Sequence, residues 1–191
     1  MLRHDDPLPS APRRVLVAGV SGAGKTTLAR RVAGVTGAPH TEIDALFHGP
    51  GWEPRADFLD DVRALVAREA WTTEWQYADA RPLLAARADL LVWLDLPFAT
   101  LVLPRLVRRT LRRRLRREVL WNGNVEPPLW TILTDREHVV RWAVHTRGKL
   151  RARVPLLEEQ APHLVVVRLR SAREVDQWVD GPLRAASAGH P

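Results

Sequence analysis

The segment Gly19-Val20-Ser21-Gly22-Ala23-Gly24-Lys25-Thr26 constrains the fold of this chain more than any other feature. It follows the apolar run Arg14–Gly19, which predicts a buried strand, and it precedes a helical pattern at about 25–35. A glycine-rich loop between a strand and a helix presents several backbone N–H groups at the positive end of the helix, where phosphate groups bind. The pattern therefore predicts a phosphate-binding loop of the P-loop class with ATP or GTP as its ligand.

The residues of this loop have separate predicted roles. Lys25 is expected to reach the β- and γ-phosphates and to act in catalysis, and the Thr26 hydroxyl is expected to ligate Mg²⁺. The residues expected to contact the nucleotide are Gly19, Ser21, Gly22, Ala23, Gly24, Lys25, Thr26 and Thr27. The alternative is an accidental glycine-rich turn, which would need four specified positions to coincide by chance.

Short strand candidates alternate with helical patterns along the rest of the chain. After Arg14–Gly19 the candidates are 41–44, 71–75, 90–96 and 163–169. Such alternation predicts a parallel sheet covered by helices. The 191 residues are enough for one domain. We expect this domain at 13–180, between flexible tails at 1–12 and 181–191.

Two aspartates follow strand candidates. Asp44 comes at the end of the candidate at 41–44, and open α/β sheets bind their ligands at the carboxyl ends of their strands. Asp44 is therefore the first candidate for the acceptor site or catalytic base, and a helix-cap or turn aspartate is the alternative. Asp95 is either a metal-assisting aspartate or a turn residue before Pro97.

A run of arginines occupies 105–117 and is interleaved with four apolar residues, Leu106, Val107, Leu111 and Leu115. The apolar residues predict one apolar helix face, with arginines over the rest. Such a helix would clamp phosphates as a lid, follow a nucleic acid backbone, lie on a membrane surface or remain solvated. The phosphate loop in the same chain favours one or two arginines as the clamp.

Composition limits the classes of partner. The net charge of +7 favours anionic partners, and the absence of cysteine excludes disulfide scaffolds, thiolate zinc sites and cysteine nucleophiles. No stretch approaches the length of a membrane span, and the first dozen residues lack the apolar run of a secretory signal. We expect a cytoplasmic protein with no membrane partner.

Four segments resemble the adenylate-kinase-related P-loop proteins described as DNA topology modulation proteins. They are the loop itself, Ile43-Asp44-Ala45-Leu46-Phe47-His48-Gly49-Pro50-Gly51-Trp52, Leu94-Asp95-Leu96-Pro97, and Arg117-Glu118-Val119-Leu120-Trp121-Asn122-Gly123-Asn124-Val125-Glu126. The resemblance implies a three-layer α/β/α P-loop kinase fold with a five-stranded parallel sheet and an arginine-rich helical lid at about 105–128. It also implies ATP as the phosphoryl donor, with Mg²⁺.

The same resemblance implies roles for three arginines. Arg109 and Arg113 fall where such kinases place catalytic lid arginines. Arg147, beyond the lid, is expected to return toward the phosphates and to bind the nucleotide. Trp52 and Trp121 stand beside glycines and are candidates for lining an acceptor pocket, with packing as the alternative.

The chain departs from the family pattern after its third strand candidate. Glu74-Trp75-Gln76-Tyr77 stands where these proteins usually have Asp-Gly-Asn-Tyr. Glu74 would replace the aspartate near the metal, whereas Trp75 would fill space in which an acceptor or a backbone turn should fit.

Two functions compete. The first is a small kinase that transfers the γ-phosphoryl group of MgATP to an unidentified small-molecule or nucleotide acceptor. The second is a nucleotide-dependent ATPase or binding protein that acts on DNA or RNA through the basic helix at 105–117. The sequence does not predict the oligomeric state.

Overall fold

The computed structural model describes residues 1–125 and 139–188, and these residues build a parallel sheet between two layers of helices. The strands are β1 (Arg14–Gly19), β2 (Trp71–Glu74), β3 (Leu90–Leu94) and β4 (Val165–Leu169). Their order across the sheet is β2-β1-β3-β4, and all neighbours pair in parallel. The phosphate loop therefore leaves the sheet from an interior strand.

The helices follow the strands in the alternation that the sequence predicts. Before β3 they are α1 (Lys25–Thr36), α2 (Ile43–Phe47), α3 (Phe58–Val66) and α4 (Ala80–Arg87). After β3 a π-helical turn at Phe98–Val102 continues into α5 (Leu103–Leu115). Next come α6 (Val139–Thr146), α7 (Lys149–Gln160), α8 (Ala172–Trp178), a second π-helical turn (Val179–Leu183) and α9 (Arg184–Ala188).

The expected sheet of five strands is wrong, because the described residues form a sheet of four. The predicted strand at 41–44 is reduced to a single bridge, in which His40 pairs with Thr72. Pro39 has no N–H to donate to a ladder, and the N–H of Ile43 donates to the side chain of Glu74 instead of to a strand. The chain turns into α2 at once, so the ladder cannot continue.

Each face of the sheet carries its own hydrophobic core. Leu16, Leu91 and Val166 point to the face that α3, α4 and α7 cover. Val17, Val92 and Val167 point to the opposite face, which α1 and α8 cover. Strands that are buried on both faces are apolar at nearly every position, as the sequence of β1 and β3 shows.

The segments that the sequence predicts as tails make contacts in the structure. Leu2 forms a parallel bridge with Val167 on the edge of β4, and Leu183 is fully buried. Ser171 caps the start of α8, since its hydroxyl accepts a hydrogen bond from the Glu174 N–H at 3.1 Å. The domain bounds remain a prediction, and positions 126–128 of the predicted lid and 189–191 of the predicted tail lie outside the described residues.

A search of the helices in 1–125 and 139–188 finds none with the length and apolar character that crossing a membrane requires.

Candidate active site

The phosphate loop connects β1 to α1 through residues that need a left-handed backbone. Gly22 and Gly24 have φ angles of +85° and +94°, a region that side chains disfavour. At Gly22 there is also no room, because a Cβ built there would lie 2.7 Å from the Cβ of Leu106. The arginine-rich helix α5 therefore packs directly on the loop.

Lys25 begins α1 and is 9% exposed. Burial lowers the pKa of its ammonium group, and the charge of Arg109 lowers it further, whereas the charges of Asp44 and Glu74 raise it. Each of these three side chains thus lies close enough to Lys25 to act on its charge. The fold brings together the predicted lysine, the predicted base and one predicted lid arginine, although 84 positions of sequence separate Lys25 from Arg109.

Glu74 ends β2 beside the loop and is buried. Burial alone would raise the pKa of its carboxyl group, but hydrogen bonds from His40 and from the Ile43 N–H, together with the nearby Thr26 hydroxyl, lower it below its ordinary value. The His40 Nε2 and Ile43 N atoms lie 3.2 and 3.1 Å from the two carboxylate oxygens. An ionised carboxylate is therefore held next to the predicted magnesium ligand.

Asp44 lies in the first turn of α2 rather than at the end of a strand. Its Oδ1 accepts hydrogen bonds from Gln76 Nε2 and from the Tyr77 hydroxyl, each at 2.7 Å. Burial, together with the charge of Asp44 and this hydrogen bond, raises the pKa of Tyr77 far above its ordinary value, so Tyr77 keeps its proton and donates. Among the described residues, Asp44 Oδ2 has no hydrogen-bond donor and is the oxygen available to a ligand.

Two of the segments that carry the family resemblance, the one that contains Trp52 and the one that contains Trp121, contact each other. The indole N–H of Trp121 donates to Glu42 at 2.8 Å, and the amide of Asn124 donates to the Gly49 carbonyl at 2.8 Å. In return the Trp52 N–H donates to Asn124 Oδ1 at 3.0 Å. The segment that follows α5 is thus bound to residues on both sides of Asp44.

Aromatic rings fill the junction between these motifs. The rings of Trp52 and Trp121 have centroids 6.3 Å apart, and each lies beside His48, at 5.1 and 6.3 Å. Phe47 stacks on Tyr77 with the centroids 3.9 Å apart. The tryptophans predicted to line an acceptor pocket therefore pack around His48, whose Nε2 lies 3.2 Å from the Tyr77 hydroxyl.

Trp75 does not extend into open space at the loop. Its side chain is 6% exposed and belongs to the core under α3 and α4. The guanidinium of Arg81 lies over its ring, 5.6 Å from the centroid. Arg81, in the first turn of α4, was not predicted from the sequence. Burial, followed by the charge of Arg153, lowers its pKa.

Three further residues with predicted roles, Arg113, Arg147 and Asp95, lie in different surroundings. Arg113 is partly buried on the same side of α5 as Arg109, with its Nε 3.6 Å from Glu118. Arg147 follows α6 and donates to the Val144 carbonyl of that helix at 2.7 Å, so the structure does not bring it to the loop. Asp95 forms ion pairs with Arg151 and Arg168, which favours the structural interpretation of this aspartate.

Oxygen ligands of the kind that Mg²⁺ prefers are present at the start of α1. The Thr26 hydroxyl and the ionised Glu74 carboxylate meet there, next to the phosphate loop. Within 1–125 and 139–188 no three acidic, histidine or cysteine side chains form a metal-binding group. The residues present suit an ion that takes most of its ligands from phosphate and water.

Comparison with known proteins adds limited sequence similarity. No family model matches the chain. Two cytidylate kinases from Nitratidesulfovibrio vulgaris, of strains DP4 and Hildenborough, are each 41% identical to it over 58 residues. These residues are 30% of this chain and 25% of each kinase, so the chain matches about a quarter of the length of these curated relatives.

A solved structure resembles the whole domain. A gluconokinase from Sinorhizobium meliloti 1021 superposes with a TM-score of 0.52 at 20% identity, over 94% of this chain and 96% of that one. The likeness shows that the chain has an α/β kinase fold built on a parallel sheet.

Proposed function

We propose that the protein is an ATP-dependent phosphotransferase that moves the γ-phosphoryl group of MgATP to a small-molecule or nucleotide acceptor. The observation that carries the proposal is the convergence of Lys25, Asp44, Glu74 and Arg109 at the phosphate loop. The cytidylate kinases that match part of the chain, and the gluconokinase that shares its fold, support the same class of reaction. Membership of the DNA topology modulation family remains a proposal that rests on the two contacting motifs.

The loop would bind the nucleotide by its backbone and by one buried cation. The N–H groups from Gly22 to Thr26 face the phosphates at the start of α1, and Lys25 neutralises the β- and γ-phosphates. Thr26 and Glu74 would hold Mg²⁺, which when bound would supply positive charge to the phosphates. Arg109 and Arg113, on the inner side of α5, would cover the charge on the transferring group.

Asp44 would act on the acceptor. When the acceptor is a hydroxyl group, the bond between the γ-phosphorus and the β,γ-bridging oxygen breaks and a bond to the acceptor oxygen forms. The hydroxyl proton passes to Asp44 Oδ2, while Gln76 and Tyr77 hold Oδ1 and fix the orientation of the carboxylate. ADP leaves with the electron pair of the broken bond. An acceptor that is already phosphorylated would need no such proton transfer.

The test is ADP production from MgATP with and without nucleosides, nucleoside monophosphates, sugars and hydroxy acids. The chain offers a matched pair of variants, because Lys25 and Lys149 are its only two lysines. Stimulation by one acceptor that is abolished in Lys25→Ala and kept in Lys149→Ala would establish the kinase. Tight ATP binding with no stimulation by any acceptor would contradict it.

A further inference from the structure

The outward side of α5 differs from the side that packs on the phosphate loop. Leu106 and Thr110 are buried, and Leu106 contacts Gly22. Val107, Leu111 and Leu115 are spaced four residues apart on another side of the helix, and they are 36%, 39% and 79% exposed. Of the four apolar residues that predict one face of this helix, Leu106 packs inward and the other three are exposed.

Exposed apolar side chains are concentrated in this part of the molecule. Among the described residues, eight large hydrophobic side chains are exposed, and six of them lie at 107–144. They are Val107, Leu111, Leu115, Val119, Trp142 and Val144. Trp142 and Val144 lie on α6, which packs against α5. Scattered exposed hydrophobic residues are ordinary, but a group of them indicates an interaction site.

Four arginines lie beside the apolar row on α5, at spacings of three and four residues. They are Arg105, Arg108, Arg112 and Arg116, and all four are exposed. Within the part of the chain that the structure describes, their side chains form no ion pair or hydrogen bond. Residues three and four positions apart share a helix face, so the basic row and the apolar row run side by side. We call these two rows together the outer face of α5.

We propose that the outer face of α5 binds the surface of an anionic lipid membrane, with the helix lying in the plane of that surface. The arginines would meet lipid phosphates while Val107, Leu111 and Leu115 enter the boundary of the acyl chains, as amphipathic helices do. Exposed Trp142, on the neighbouring helix, is the residue type that prefers this boundary. The proposal does not depend on the phosphotransferase activity. It replaces the expectation of no membrane partner, since a helix that lies on a membrane surface needs no spanning segment.

A nucleic acid would satisfy only half of this surface. A phosphate backbone pairs with arginines, but it offers nothing to a row of exposed leucine and valine side chains. A lipid surface supplies both the anionic groups and the apolar layer. The apolar row is therefore the feature that separates the two polyanions experimentally.

The experiment is co-sedimentation of the full chain with vesicles of phosphatidylcholine alone and with added phosphatidylglycerol, at about 0.15 M salt. We expect binding that requires the anionic lipid. Leu111→Gln with Leu115→Gln should weaken it about tenfold or more, because two apolar side chains no longer enter the bilayer. Arg112→Gln with Arg116→Gln should weaken it about 25-fold, at roughly fivefold for each arginine.

Leu156→Gln is the matched control, because Leu156 is also exposed but lies on α7. It should bind vesicles as the unchanged chain does. All substituted positions are exposed, and circular dichroism checks that each variant is folded. Absence of binding to anionic vesicles would overturn the proposal. The proposal would also fail if the leucine variant bound vesicles as well as the unchanged chain does and only the arginine variant lost binding. If the arginine variant then lost oligonucleotide binding as well, the face would be assigned to nucleic acid.

Discussion

Leu106 of α5 packs on Gly22 of the phosphate loop so closely that a methyl group on Gly22 would lie 2.7 Å from the Leu106 Cβ. Gly22 also has a φ of +85°. Gly22→Ala should therefore lower the free energy of unfolding by roughly 2 kcal/mol or more, from backbone strain and from displacement of α5. It should weaken ATP binding as well. Thermal unfolding and equilibrium nucleotide binding measure both effects.

Gly34→Ala is the control for this substitution. Gly34 lies inside α1, where an added Cβ meets nothing within 4 Å. Alanine there should stabilise the protein by about 0.5–1 kcal/mol and leave ATP binding unchanged. Equal behaviour of the two variants would contradict the packing argument.

Asp44→Asn should reduce acceptor-dependent ADP production by about 10²- to 10⁴-fold, because the amide cannot take a proton from the acceptor. ATP binding should persist. Tyr77→Phe removes one donor to Oδ1 but leaves the base in place, so its turnover should fall only about tenfold. A phenylalanine variant as inactive as the asparagine variant would show that Tyr77 itself acts on the substrate.

Glu74→Gln should raise the Mg²⁺ concentration needed for half-maximal turnover about 10- to 100-fold, because the negative charge beside Thr26 is lost. It should also change the response of stability to acid. The pKa of Glu74 is lower in the folded protein than its ordinary value of 4.5. Its ionised form therefore stabilises the fold fully above pH 4.5, and this contribution is lost as pH falls through the folded pKa.

Urea unfolding of both proteins between pH 7 and pH 3 measures the second effect. The difference in free energy of unfolding between the unchanged chain and Glu74→Gln should be constant above the ordinary pKa and shrink below it. A difference that does not change with pH would mean that the charge of Glu74 does not stabilise the fold.

Arg109→Gln should lower turnover by about 10²-fold or more, since this arginine lies on the inner side of α5, close enough for its charge to lower the pKa of Lys25. Arg147→Gln should lower it little, because Arg147 is bound to the Val144 carbonyl. Steady-state kinetics at saturating ATP compares them. The opposite order would restore the role that the resemblance implies for Arg147.

Local patterns were enough to predict the elements nearest the loop. β1 has the predicted bounds, and α1 exceeds its predicted end by one residue, because apolar runs and glycines mark both strongly. The strand predicted at 41–44 fails for a reason that lies elsewhere in the chain. The Ile43 N–H donates a hydrogen bond to the carboxylate of Glu74, and the sequence around Ile43 does not predict this contact.

The same limit applies to side-chain direction and to long-range contact. The apolar residues of α5 mark a helix, but only the fold shows that Leu106 is the one that packs on Gly22. Trp121 and Glu42 stand 79 positions apart, and each motif is recognisable alone, yet only the fold shows that they are joined by a hydrogen bond. Residue types therefore indicated the chemistry of the site, and tertiary packing decided which of them meet.

The bridges made by Leu2 and His40 bear on how the protein behaves at high concentration. Unpaired backbone groups along a sheet edge are templates on which a second chain adds a strand and aggregation begins. In the described part of the chain, Leu2 occupies a pairing position on β4, and His40, next to a proline, occupies one on β2. The chain thus uses its own backbone at both ends of the sheet, which disfavours growth of the sheet by addition of further molecules.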